Sequence, residues 1–131
     1  MVQRVLIIDD EVALARNIKD YLEADGFEAR ACGDGETGIA AFDELPTDVV
    51  VLDLNLPGMD GLAVLELLRE HDAPTRVIII TAYGNGQTAS AALRAGAYDY
   101  LAKPLALSDL RRIVVRAMRE SAEDGVRGPD H

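Results

Sequence analysis

The stretch that decides the fold is VVVLDLNLPGMDGL, residues 49–62. Its first four residues are apolar and mostly β-branched, which is typical of a parallel strand that is covered on both faces. Asp53 follows this apolar run directly. A buried strand that ends in a carboxylate predicts an α/β sheet with polar side chains along the carboxyl edge of its strands.

Four further segments predict the other strands. Residues 5–8 and 77–80 are as apolar and β-branched as residues 49–52, so these three segments are predicted to be the central strands. Residues 27–32 and 98–102 mix apolar and polar side chains, which favours strands at the two edges.

The segments between the strands carry helical patterns, in which apolar residues recur three or four positions apart. With three inner and two outer strands, strand–helix alternation predicts a flavodoxin-like doubly wound (βα)5 fold, a five-stranded parallel sheet of order 2-1-3-4-5. The fourth helix is the least anchored, because residues 87–95 are rich in alanine. The helical apolar positions are Leu14, Ile18 and Leu22, then Ile39 and Phe42, then Leu62, Leu65 and Leu68, and finally Leu110, Ile113, Val114 and Ala117.

Length and charge limit the organisation and the partners. A chain of 131 residues fits one domain, predicted over residues 1–122, with a polar and frayed tail over residues 123–131. The net charge of −10 repels phosphate backbones and anionic lipid, which argues against direct binding of nucleic acid or membranes. We expect a cytoplasmic protein, because no apolar run is as long as a membrane span and no signal peptide is recognised at the start.

Polar residues follow four of the five strands, at the edge where an open α/β sheet forms its ligand crevice. Three converging carboxylates would repel one another, and their oxygens are the hard ligands that Mg²⁺ prefers, so the sequence predicts a Mg²⁺ site. A lysine and a threonine can hold two further phosphate oxygens while a carboxylate attacks, which together make a cradle for phosphoryl transfer. The residues are Asp9, Asp10, Asp53, Thr81 and Lys103, with Asp53 as the predicted nucleophile.

The segments LIIDDE, VVLDLNLPGMDGL, IIITAYG and AGAYDYLAKPL resemble the successive signature segments of bacterial two-component response-regulator receiver domains. The resemblance extends over about residues 5–117, nearly the whole chain. Residues 81–105 are locally most similar to nitrogen-regulation-type activators. The resemblance implies a signalling switch that accepts a phosphoryl group from a histidine kinase or a phosphotransfer protein. Such a switch assists its own phosphorylation and dephosphorylation and is not otherwise an enzyme.

The resemblance also implies roles for individual residues. Asp53 would be the phosphoacceptor, Asp10 and Asp53 would ligate Mg²⁺ directly, and Asp9 would act mainly through bound water. The backbone carbonyl of Asn55 would complete the metal shell. Lys103, whose bond to Pro104 would be cis, matches the invariant lysine.

Further implied roles concern the output. Thr81 and Tyr100 match the two switch residues that move together, and Ala82 matches the small residue that lets the phosphoryl group meet a backbone amide. Phosphorylation would then alter the face made by helix 4, strand 5 and helix 5. The altered face would bind a second copy, as a phosphorylation-dependent dimer, or a downstream output domain or protein. One type of dimer in the family needs an arginine of the last helix that pairs with the aspartate at position 99. This chain has Asp99 but carries Ile113 at the position of the arginine, which argues against that type of dimer. The bulky ring of Tyr83 predicts slow hydrolysis of the phosphoryl group.

Other interpretations remain open at the sequence level. Asp9 and Asp10 could simply cap the first helix, where aspartate is favoured. A small-substrate phosphatase with an aspartyl intermediate is one alternative function, although Asn55 stands where a general acid would be needed. A flavin-binding electron carrier of the same fold is another, although Asp-Asp-Glu after strand one would repel its phosphate.

Overall fold

The computed structural model describes residues 2–70, 75–82 and 86–127, which form alternating strands and helices. All strand pairings are parallel, and the sheet order is β2-β1-β3-β4-β5, so the predicted doubly wound fold is confirmed. The strands are β1 (Arg4–Ile8), β2 (Glu28–Cys32), β3 (Val49–Asp53), β4 (Arg76–Thr81) and β5 (Asp99–Ala102). The helices are α1 (Val12–Glu23), α2 (Gly35–Glu44), α3 (Gly61–Arg69), α4 (Gly86–Arg94) and α5 (Leu107–Arg127).

The sheet separates two hydrophobic clusters, because successive side chains of a strand point to opposite faces. In β1, Val5 and Ile7 pack with α1 and α5, whereas Leu6 and Ile8 pack with α2 and α3. Each central strand therefore needs apolar residues at every position, and all five residues of β3 are buried. This double coverage explains why the central strands read as continuous apolar runs in the sequence.

Helix α4 contributes little to the core, as its alanine-rich sequence predicts. It buries the small side chains of Ala89 and Ala92, while Leu93 is 46% exposed. Because small side chains remove little apolar surface from water, few contacts hold this helix against the sheet.

Helix α5 differs from the sequence prediction at its end. The residues from 123 onward were expected to form a frayed tail, but the helix continues to Arg127. Residues 124–127 include a glycine and polar side chains, which carry no apolar stripe that would have revealed a helix. The boundary of the domain at residue 122 stays a prediction.

Within the described ranges, no helix is both long enough and apolar enough to cross a membrane.

Candidate functional site

Polar side chains from four strand ends meet at the carboxyl edge of the sheet. Asp9 and Asp10 follow β1, Asp53 is the last residue of β3, and Thr81 is the last residue of β4. Lys103 follows β5 and donates its backbone N–H to the carbonyl of Thr81 at 2.8 Å. The fold thus brings together the five residues that the sequence proposed for the crevice.

Three carboxylates form the acidic part of the site, and one oxygen from each lies within 4.8 Å of the others. Asp9 and Asp53 are only 1% and 2% exposed, whereas Asp10 is exposed. Backbone amides fix the two buried carboxylates: Glu11 N–H donates to Asp9 Oδ1, and Asn55 N–H donates to Asp53 Oδ1, both at 2.9 Å. Their other oxygens, Asp9 Oδ2 and Asp53 Oδ2, both lie close to the ammonium group of Lys103.

The alternative interpretation of the aspartate pair as helix caps does not fit the start of α1. The residue at the cap position is Glu11, and its side chain makes no capping hydrogen bond. Helices α2 and α3, in contrast, have capping aspartates: Asp34 accepts from Thr37 N–H, and Asp60 accepts from Leu62 N–H. The bond from Thr37 N–H also lowers the pKa of Asp34 below its usual value. Asp9 and Asp10 therefore face the crevice without a capping task.

The ammonium group of Lys103 lies among three carboxylates. Its Nζ is 3.0 Å from Asp53 Oδ2, 3.0 Å from Asp9 Oδ2 and 2.7 Å from Glu11 Oε1. Burial by itself would lower the pKa of Lys103, but the hydrogen bonds to Glu11 and Asp53 and the close approach of the Asp9 carboxylate outweigh it and raise that pKa well above its usual value. Lys103 is therefore a permanent cation beside the Asp53 carboxylate.

Glu11 is a site residue that the sequence reasoning did not assign. The sequence analysis gave this glutamate no part in the crevice, whereas its side chain reaches across the crevice to Lys103. Only the run Asp-Asp-Glu after β1 hinted at a fourth acidic group near the site.

The charges of the site are incompletely balanced, which tests whether a metal ion fits. Burial raises the pKa of Asp9, against the lowering effects of the Glu11 amide and Lys103. Among the described residues, Asp9 Oδ2 is buried and accepts no hydrogen bond of good geometry, although Lys103 Nζ is close. A buried oxygen without such a partner, beside two further carboxylates, fits a hard divalent cation such as Mg²⁺. Asp9, Asp10 and Asp53 are the side chains that would hold it or its waters.

Thr81 is 1% exposed, and its hydroxyl donates a hydrogen bond to Asn55 Oδ1 at 2.9 Å. The sequence assigned only the backbone carbonyl of Asn55 to the site, so this side-chain contact was not anticipated. Ala82, the next residue, is exposed at the rim of the crevice. Tyr83 lies outside the described residues, so its effect on hydrolysis stays a prediction.

Tyr100 lies on β5, and 36% of its surface is exposed. Its role as a switch residue, and its movement on phosphorylation, stay predictions. The peptide bond between Lys103 and Pro104 is cis, as the resemblance implied.

Asp99 has a different arginine partner from the one that the resemblance suggested. Ile113 packs partly buried against the core, and Arg116 of α5 donates to Asp99 Oδ2 at 2.6 Å and to the Tyr98 hydroxyl at 2.9 Å. These bonds raise the pKa of Arg116. Asp99 is thus engaged within its own chain, which is consistent with the argument against that dimer.

Comparison with known proteins identifies the family to which this fold and this site belong. The family model described as the response regulator receiver domain matches residues 5–115. The chain therefore belongs to the receiver-domain family of two-component response regulators, which are signalling switches that accept a phosphoryl group and pair with histidine kinases.

Individual relatives agree with this assignment. Regulatory protein AtoC of Escherichia coli is 40% identical over 118 residues, which cover 90% of this chain and 26% of AtoC. The DNA-binding response regulator MtrA of Mycobacterium tuberculosis is 36% identical over 124 residues, which cover 94% of this chain and 54% of MtrA. The chain thus spans between about a quarter and half of the length of these relatives.

Solved structures show the same fold. The signal receiver domain of a LuxO repressor protein from Vibrio parahaemolyticus superposes with a TM-score of 0.91 and 32% identity, covering 98% of this chain and 99% of that one. NtrX from Brucella abortus superposes with a TM-score of 0.90 and 31% identity, covering all of this chain and 30% of NtrX. The resemblance to receiver domains, locally of the nitrogen-regulation type, is confirmed.

Proposed function

We propose that Asp53 is the phosphoacceptor of this receiver domain and that it takes its phosphoryl group from the phosphohistidine of a sensor kinase or a phosphotransfer protein. The observation that carries the proposal is the 3.0 Å approach of Lys103 Nζ to the buried Asp53 Oδ2. A fixed cation beside a carboxylate at a strand end can receive the phosphoryl oxygens as that carboxylate attacks.

The chemistry can be derived from the residues of the site. An oxygen of Asp53 forms a bond to phosphorus while the bond between phosphorus and the donor imidazole breaks, and the bond's electron pair leaves with the imidazole. Lys103 and the Thr81 hydroxyl stabilise negative charge on the equatorial oxygens, and the small, exposed Ala82 leaves room for the group to enter. A bound Mg²⁺ would neutralise further charge on those oxygens.

Family membership favours this function over the two alternatives. A phosphatase would need a general acid two residues after the nucleophile, where Asn55 instead accepts a hydrogen bond from Thr81. A flavin carrier would have to place a phosphate beside Asp9, Asp10 and Glu11, whose charges oppose it. We propose no direct contact with nucleic acid or membranes, and an output through a further domain, a separate protein or a phosphorylation-dependent dimer.

The proposal is tested with the whole chain and a small phosphoryl donor. Acetyl phosphate with Mg²⁺ should add the mass of a single phosphoryl group to the intact protein, and removal of Mg²⁺ by a chelator should prevent the gain. No gain in the presence of Mg²⁺ would refute the assignment.

Loss of one carboxylate ligand should weaken metal binding. Asp10→Ala removes the exposed member of the acidic cluster and should lower the affinity for Mg²⁺ at least about tenfold, since even outer-shell partners of metals contribute about that much. Titration with Mg²⁺, followed by NMR, measures the dissociation constant. Asp20→Ala makes the same change of charge on an exposed position of α1 and should have little effect. Equal affinities for wild type and Asp10→Ala would rule out this ligand.

Phosphorylation should change the face made by α4, β5 and α5. We expect Thr81 to move toward the phosphoryl group and Tyr100 to turn inward, with α4 free to adjust because it buries only small side chains. Beryllofluoride should therefore shift amide resonances mainly within residues 81–116, and Thr81→Ala should remove most of those shifts. Thr37→Ala, on an exposed position of α2, should retain them. Shifts confined to the surroundings of Asp10 and Asp53 would contradict this mechanism.

A further inference from the structure

Asn55 lies in the loop between β3 and α3, called here the acceptor loop because it follows Asp53. Its side chain connects this loop to Thr81. Thr81 Oγ1 donates to Asn55 Oδ1 at 2.9 Å, and the Thr81 side chain is almost completely buried. A hydroxyl group has one proton to donate. While that proton is directed at Asn55, Thr81 cannot donate it to a phosphoryl oxygen.

Asn55 is itself held firmly by its main chain. Its N–H donates to Asp53 Oδ1 at 2.9 Å, and the preceding residue, Leu54, donates to the carbonyl of Ile80 at 3.1 Å. The acceptor loop is therefore tied both to the Asp53 carboxylate and to strand β4. These two bonds fix the backbone of Asn55, from which its side-chain oxygen reaches Thr81 Oγ1.

We propose that the Asn55 side chain is a positioning residue, which holds Thr81 in its resting orientation and thereby sets the equilibrium of the switch. The inference rests on the proposed function, in which a phosphoryl group on Asp53 attracts the Thr81 hydroxyl. A hydrogen bond to a charged phosphoryl oxygen is stronger than one to a neutral amide, so the proton changes partner when the group arrives. The neutral bond must be broken first, and it therefore opposes the switched arrangement.

A purely structural role would give different results. If Asn55 only satisfied the Thr81 hydroxyl, water at the rim of the crevice could replace the amide, and the affinity for a phosphoryl mimic would not change. If Asn55 holds the resting state, its removal makes the switched state easier to reach and the mimic binds more tightly. The direction of the change in affinity therefore separates the two roles.

The experiment measures beryllofluoride affinity with saturating Mg²⁺ in the whole chain. Asn55→Ala should bind about three- to tenfold more tightly than wild type, as expected for the removal of one net neutral hydrogen bond. Asn17→Ala, the same substitution on an exposed position of α1, should not change the affinity. In a Thr81→Val background, Asn55→Ala should have no effect, and in a Thr81→Ser background, which restores the hydroxyl, the tightening should return.

A second readout needs no phosphoryl mimic. In the free protein, side-chain NMR couplings of Thr81 should report a single rotamer in wild type and rotamer averaging in Asn55→Ala. Unchanged or weaker beryllofluoride binding in Asn55→Ala, or an unchanged Thr81 rotamer, would overturn the positioning role. Wild-type protein that fails to bind beryllofluoride would instead overturn the proposed function, and the Thr81 couplings would still decide whether Asn55 holds the resting orientation.

Discussion

Asp53→Asn should abolish phosphorylation by acetyl phosphate, because the amide that replaces the carboxylate has neither the charge nor the nucleophilic oxygen needed for attack. The fold should persist, since an asparagine side chain has the same shape and its oxygen can still accept the Asn55 N–H. Intact-protein mass spectrometry in the presence of Mg²⁺ should then show no species that carries a phosphoryl group.

The geometry explains why no other carboxylate should replace Asp53. Of the two buried carboxylates, only Asp53 accepts a hydrogen bond of good geometry from Lys103, the cation that would hold the incoming phosphoryl oxygens. Asp60→Asn is a matched control in the same loop, since asparagine caps helices as well as aspartate does. It should be phosphorylated like wild type. Stoichiometric phosphate on Asp53→Asn would place the nucleophile elsewhere.

The architecture was predictable because the central strands are buried on both faces. Residues 49–52 have to be apolar at every position to contact helices on both sides, and this requirement is visible without any structure. The site was predictable for a related reason: parallel strands deliver their last residues to one edge, so Asp53, Thr81 and Lys103 had to be neighbours.

The contacts that sequence reasoning missed are those in which a side chain reaches across the fold. Glu11 pairs with Lys103, which is 92 positions away. Arg116, on α5, pairs with Asp99, on β5. Such pairs depend on side-chain rotamers and on how helices sit on the sheet, and spacing along the chain does not encode either. The helical end of α5 was missed because residues 123–127 contain a single large apolar residue, Val126, and periodicity detects only helices with an apolar face.

Gly61→Ala should destabilise the protein strongly through the loop that carries Asn55. Gly61 is the first residue of α3, and a Cβ atom there would lie 2.4 Å from Leu54 Cα and 2.6 Å from its carbonyl oxygen. These are backbone atoms, so no side-chain rotation can relieve the overlap. We expect the free energy of unfolding to fall by about 3 kcal/mol, the upper end of the usual cost of overpacking. The melting temperature should fall by roughly 10 °C.

Gly33→Ala is the matched control, because a Cβ at that position would meet no atom within 4 Å. It should melt close to wild type in the same calorimetric scan. The displaced Leu54 directly follows Asp53 and is tied to Ile80, so Gly61→Ala should also slow phosphorylation by acetyl phosphate at temperatures where the variant is still folded. If Gly61→Ala and Gly33→Ala melted at the same temperature, the close approach of α3 to Leu54 would not constrain the loop. The proposal that the loop holds Asn55 in a fixed position would then lose one of the observations behind it.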